Sequence, residues 1–386
     1  MRYLLFRLKR FCGFSAGFVF YISGILKLVD PVGSGLVMKE YFKFLHVEIL
    51  DFASMPAGVA FALAEALVGA GLITGVWRKV VAPIAVALQG LFTILTLLLV
   101  IFKPQMDCGC FGEAIHLTHT ETFVKNLILL TLLLLYYIPV RYLGQTKRKK
   151  YISFAVVSVS TLAFAIYSLL YIPMTDFTDL RPGTAVNKES QSGGDAFVAV
   201  FIYSKDGKEE AYTLDALPDS TWTFVRTETY ADKTVSDDGA RISIYDQEGN
   251  YADSLLTKGR IMAVSLYKGN ISEKGLEDIE KFLDSAQANG FTPVLLTSGM
   301  QEIDSRRHYN CDYKTLITLN RSNGGATYLE DGYIIRKWAK RKLPAPEELA
   351  TISEEDPTDT FIGRDTRTSL AFQGFLLYVF AVMLLL

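Results

Sequence analysis

Residues 80–112 read VVAPIAVALQGLFTILTLLLVIFKPQMDCGCFG. From Val80 to Phe102 there is no charged side chain, and the run exceeds the roughly 20 residues needed to cross about 30 Å of hydrocarbon. The charged Lys103 is the first residue beyond it. Cys108-Gly109-Cys110 is therefore predicted to lie in a loop at the membrane surface.

Five more apolar runs, at 11–29, 55–76, 123–140, 151–172 and 369–386, have similar character. Half of the 386 residues are hydrophobic, yet 21% are charged, a mixture that implies membrane helices joined to a soluble part. Arg2, Arg7, Lys9 and Arg10 precede the first run without a small-residue cleavage site after it. That run is expected to be kept as a helix rather than removed as a signal peptide. The last run reads as a tail anchor, an ending that a truncated reading frame would equally produce. The net charge of −2, with no basic stripe, argues against nucleic acid as a partner.

Lysine and arginine near helix ends stay on the cytoplasmic side. The N-terminal cluster, Arg78 with Lys79, and Arg141 with Lys147, Arg148, Lys149 and Lys150 all fall on one face if the first five runs cross in turn. The expectation is a multi-pass protein of the bacterial inner membrane with a cytoplasmic N-terminus. The Cys-Gly-Cys loop and the polar region after residue 173 are then periplasmic, where disulfides form.

The polar region is long enough for an independent domain. It opens with a linker and β-rich segment, 174–240, and strand-like runs are expected at 197–203, 222–229 and 241–245. A strand at 260–267, an amphipathic helix at 273–289 and a strand at 292–298 follow, then a second helix at 301–309 and a hairpin turning at Asp331-Gly332. Strand-helix-strand order implies a partly parallel sheet covered by helices. Residues 346–367 read as a second linker before a C-terminal helix at 368–386.

Gly24-Ile25-Leu26-Lys27, Glu65 and Cys108-Gly109-Cys110-Phe111-Gly112 together resemble the DoxX superfamily, within it the MauE-like branch. The resemblance covers about residues 10–145. It implies an all-α four-helix membrane bundle over 1–145 and a thiol-disulfide role, assisting such chemistry or the maturation of an extracytoplasmic client, while the apolar run at 151–173 adds a fifth transmembrane helix. Residues 241–345 resemble the thioredoxin fold, through Asp246-Gln247-Glu248-Gly249, the strand-helix-strand unit and Tyr328-Leu329-Glu330-Asp331-Gly332. That α/β soluble domain departs from redox-active members. Lys268-Gly269-Asn270-Ile271 stands where they carry Cys-x-x-Cys, and Gly325-Ala326 stands where a proline usually precedes the next strand.

Cys108 and Cys110 are the candidate catalytic pair of a thiol-disulfide oxidoreductase. Thiols one residue apart close only into a small, strained ring, which makes their disulfide easily reduced, and Gly109 tolerates the turn. Asp107 beside them disfavours a thiolate while a nearby cation favours one. Glu65, mid-membrane, should face the interior and pair with Gln89 or Lys27. It is either a packing clamp, a proton relay or a contact for a quinone electron acceptor. Cys311 is a possible thiol partner or a small buried hydrophobe. Two alternatives stand beside the redox reading. One is a non-catalytic membrane scaffold or binding protein. The other is zinc or copper held by Cys108, Cys110, His116 and His119, although their spacing fits no standard zinc pattern.

Overall fold

The computed structural model describes residues 2–104, 106–138, 146–187, 197–205, 208–213, 222–231, 240–268, 271–298 and 307–385. These residues are mostly helical, with six helices long and apolar enough to cross a membrane, followed and partly enclosed in sequence by a mixed sheet.

Helix α1 (Arg2–Val29) ends at Asp30, whose carboxylate accepts the Gly33 N–H at 2.9 Å and caps α2 (Pro31–Phe44). Proline at the first helical position suits this start, since its missing donor is not needed there. The 30–54 segment is thus largely helical: α2 is followed by a 3-10 turn at Glu48–Ala53. Helix α3 (Ser54–Thr74) stops at the left-handed Gly75, and α4 (Arg78–Phe102) stops at Lys103. Short strand β1 (Cys110–Glu113) follows. The capping box Thr118-His119-Thr120-Glu121 then starts α5 (His119–Tyr137) by closing reciprocal side-chain to backbone bonds. Helix α6 (Arg148–Leu170) completes the series before the polar region.

Helix α1 packs against α3 and α5, α4 against α5, and α3 against α6. The α1–α3 contact is close enough that a Cβ on Gly24 would lie 2.5 Å from the Ala66 nitrogen, the kind of backbone approach small residues permit in membranes. Tyr21, Ile25, Ala62 and Ala66 fill this seam with Val157 and Phe164 of α6.

In the polar region, β2 (Phe197–Lys205), β3 (Lys208–Thr213) and β4 (Thr223–Ala231) form a three-stranded antiparallel sheet in the order β3-β2-β4. A six-stranded sheet is built from β5 (Ile244–Tyr245), β6 (Arg260–Leu266), β7 (Thr292–Thr297), β8 (His308–Cys311), β9 (Gly325–Glu330) and β10 (Tyr333–Trp338), in the order β10-β9-β6-β7-β8-β5. Strands β6, β7 and β8 run parallel, and the remaining pairings are antiparallel. Alternation along β6 divides the core. Met262 and Val264 face α7 (Glu273–Ala288), which contributes Ile279, Phe282 and Leu283. Ile261 and Ala263 face α8 (Tyr313–Leu319), and Val32 and Leu36 of α2 pack on that same side. The sheet therefore rests directly on the membrane region.

Three sequence expectations change. The strand expected at 241–245 is reduced to Ile244–Tyr245, because Asn187 takes up the Ile242 N–H and C=O with its side-chain amide at 2.8 and 2.6 Å. Of the helix expected at 301–309, residues 301–306 lie outside the described residues, while His308 and Tyr309 belong to β8. Residues 346–367, expected as a linker, hold α9 (Pro346–Glu354) and the start of α10 (Pro357–Leu385), which packs on β10 before entering its apolar stretch. The hairpin at Asp331-Gly332 is present, with φ of +46° and +80°, the paired positive values of a tight two-residue turn.

Candidate functional site

Gly109 has φ of +58°, and a Cβ there would overlap Cγ1 of Val37 on α2. The residue between the two cysteines is thus fixed as glycine by both conformation and space. Tyr41 of α2 donates its hydroxyl to the Cys108 carbonyl at 2.9 Å, and Ser23 of α1 donates to the Cys110 carbonyl at 2.6 Å. Both ends of the loop are held by helices that the chain supplied much earlier.

The two sulfurs are in different surroundings. Cys108 is 5% exposed, with its sulfur 3.2 Å from the Leu117 carbonyl oxygen and 2.9 Å from the Thr122 hydroxyl. Its hydrogen bond to Cys110 and its burial push the Cys108 thiol far up. Cys110 is partly exposed, and the same hydrogen bond, received from Cys108, draws it down. Burial opposes this, but the charges of Lys125 and Lys27 reinforce it, and the Cys110 thiol is lowered to about 6. These opposite shifts favour the proton on Cys108 and the thiolate on Cys110. Thiolate is the nucleophilic form. Both sulfurs are free, as are Cys12 and Cys311.

Below the loop lies a cavity of about 260 Å³ whose wall includes Cys108, Cys110, Lys27, Glu65, Gln89 and Lys125. Glu65 is 4% exposed and accepts from Lys27 Nζ at 2.6 Å and from Ser23 Oγ at 3.1 Å. Lys27 therefore pairs with Glu65, as one of the two expectations had it. Gln89 does not, since it donates to the Asn126 carbonyl of α5 at 3.1 Å. Ser23 touches both Glu65 and the Cys110 carbonyl, so a polar chain runs from the carboxylate to the loop.

Asp107 turns outward, with a 67% exposed side chain 3.3 Å from His116 Nδ1. His119 Nε2 is engaged with the Met106 carbonyl at 2.8 Å. Neither histidine joins the sulfurs, and among the described residues no group of three or more His, Cys, Asp or Glu is placed to hold a metal. Cys311, on β8, is 4% exposed among Ile244, Leu316 and Leu319, and burial pushes its thiol up to about 12. It does not line the cavity.

Residues 5–139 match the family model for methylamine utilisation protein MauE. The match takes in α1 to α5, the Cys-Gly-Cys loop and every residue that lines the cavity. Over that segment the chain is similar to the MauE family, and its long apolar helices point to a multi-pass membrane protein. Residues 197–233 match a domain of unknown function, DUF8463. No curated protein matches the chain, and no solved structure does.

Sequence reading missed Tyr41, Ser23, Lys125, Thr122 and Arg321. Lys125 had a faint signal: it lies three residues after Thr122, hence on one helix face. Arg321 had none. Its guanidinium, 4% exposed, comes from the sheet region and lies 2.8 Å from Asp30 and 3.2 Å from Glu113, at the end of β1.

Proposed function

We propose that this protein is a membrane thiol-disulfide oxidoreductase that exchanges disulfides with an extracytoplasmic client through Cys108 and Cys110. The observation that carries this reading is the placement of two free sulfurs one residue apart, on a loop bent at the left-handed Gly109, in the wall of a cavity that also holds Lys27 and Lys125. A thiolate beside a protonated thiol is the arrangement that disulfide exchange uses. In one direction the Cys110 thiolate attacks a client disulfide, a client thiolate leaves, and the Cys108 sulfur then displaces the client from the mixed disulfide. In the other, a client thiolate attacks the Cys108–Cys110 disulfide, and a second client thiol releases the product. The MauE-like match and the apolar spans support membrane placement of the pair.

The finer features belong to the same proposal. Helices α1, α3, α4 and α5 serve as a DoxX-type four-helix unit. The basic clusters at Arg7 to Arg10, Arg78 to Lys79 and Lys147 to Lys150 support a bacterial inner-membrane orientation with these on the cytoplasmic side and the loop and sheet in the periplasm. The parallel β6-β7 pair with antiparallel β9 and β10 supports a thioredoxin-like reading of the sheet region. Positions 269 and 270, within the stretch that stands where redox-active members carry Cys-x-x-Cys, lie outside the described residues. This region would position the client rather than exchange electrons.

The test is a trap. In a Cys108→Ser variant, Cys110 still attacks but nothing resolves the adduct, so a client-linked band should appear on non-reducing gels of native membranes and collapse on reduction. A Cys108→Ser/Cys110→Ser protein should show no such band. Absence of a reducible adduct in the single variant, across oxidising and reducing media, contradicts the proposal.

A further inference from the structure

A dithiol that is oxidised in each cycle needs somewhere to send two electrons, and the other described cysteines do not supply it. Cys12 is buried among Leu133, Tyr136 and Ala16, and Cys311 is enclosed in the sheet core. The sulfurs of Cys108 and Cys110 instead form part of the wall of the 260 Å³ cavity. That volume is close to the roughly 300 Å³ at which ligand pockets begin, enough for one ring system. Phe20, Phe61, Phe92 and Leu129 give it an apolar interior. Leu91, which also lines it, lies at the middle of α4 and is 43% exposed. A wall residue with free surface at mid-span is turned to acyl chains, so the cavity is bounded by lipid on that side. Within this apolar enclosure stands a buried Lys27–Glu65 pair, with Lys27 Nζ 5.4 Å from the Phe92 ring centre. Buried charges inside a membrane mark functional sites and proton routes.

We propose that this cavity binds the ring of a lipid-soluble quinone, which accepts two electrons from the Cys108–Cys110 pair. The inference rests on the thiol-disulfide reading and gives it a direction, client oxidation. The Cys110 thiolate and the Cys108 thiol form an S–S bond, losing two electrons and one proton. The quinone takes both electrons and that proton. Its second proton comes from Lys27, refilled through Glu65 from solvent, which took up the proton that Cys110 released on ionising. The product is one hydroquinone per disulfide. The ring enters from the bilayer past Leu91.

The full chain in detergent, reduced and freed of reductant, is mixed with decylubiquinone, and thiols and hydroquinone are counted. Two thiols should disappear per hydroquinone formed. Oxidation by glutathione disulfide is measured in parallel. In Leu95→Trp, whose side chain fills the cavity, the ratio of quinone-driven to glutathione-driven oxidation should fall at least tenfold. A readout free of turnover uses Cys108→Ser, which cannot form the internal disulfide. Decylubiquinone should slow maleimide labelling of Cys110 at least fivefold in it, and 1-decanol should not. Normal oxidation by glutathione disulfide with no hydroquinone from decylubiquinone overturns the quinone site alone. Equal protection by decanol also overturns it, assigning the cavity to acyl chains. A pair that neither oxidant can oxidise sinks the thiol-disulfide reading and this inference together.

Discussion

Arg321 lies 2.8 Å from Asp30, across 291 positions of sequence, with both side chains less than a tenth exposed. Asp30 also caps α2, and Arg321 reaches on to Glu113 three residues past Cys110. A second buried pair, Lys337 with Asp176 at 2.7 Å, fastens β10 to the segment that leaves α6. The sheet region is thus pinned by charge at the edge of the thiol loop. Removing one member of a buried pair leaves the other uncompensated, which costs about 3–5 kcal/mol.

Arg321→Ala is therefore expected to loosen the sheet from the loop. Hydrogen exchange should rise in α2 and β1, and Cys110 should alkylate several-fold faster. Unchanged exchange in both segments would show that the arginine does not hold the contact.

The pH profile of Cys110 follows from its lowered pKa. The thiol is ionised above about 6, against about 8.5 for an ordinary cysteine. Iodoacetamide labelling should stay near its plateau at neutral pH and fall as pH drops through about 6, to roughly a tenth at pH 5. Lys125→Met removes a neighbouring cation and should move the midpoint upward. A wild-type midpoint at the ordinary cysteine value contradicts the shared-proton arrangement.

Glu65 and Lys27 should behave as a unit. Glu65→Leu alone or Lys27→Met alone strands a charge in the apolar interior and is expected to destabilise by about 3–5 kcal/mol, while the double variant should be milder than either. Thermal unfolding in one detergent decides this, and additive losses would count against direct coupling.

Gly109→Ala places a Cβ at a left-handed position and against Val37. Strain of about 1–3 kcal/mol is expected. Adding Val37→Ala should return part of the lost thermal midpoint by opening the space, and no recovery would mean that the backbone conformation alone sets the requirement.

Much of the membrane architecture was legible in the sequence because an uncharged run from Val80 to Phe102 has few alternatives to spanning a bilayer. Cys108, Cys110, Lys27 and Glu65 stood out for the same reason, as polar or reactive groups where apolar ones prevail. Contacts between distant segments were not legible. Tyr41 and Ser23 reach the loop only because α1 and α2 fold beneath it, and Arg321 looks like any surface arginine until α8 carries it to Asp30. The helical start of α10 was hidden by its charges, which suit a linker as well as a helix packed on a strand. The pairing of Gln89 with a backbone carbonyl rather than with Glu65 depends on helix rotation, which residue counting leaves undetermined.

The central claim, that Cys108 and Cys110 work as one reversible redox pair, is tested most directly by mass tagging of free thiols in intact cells, resolved by peptide. The account predicts that both sulfurs shift together between free and disulfide-linked as cells are treated with diamide and then dithiothreitol, with Cys12 and Cys311 unchanged. Tagging of Cys108 and Cys110 that never changes with redox treatment, or that changes at one sulfur without the other, would contradict it.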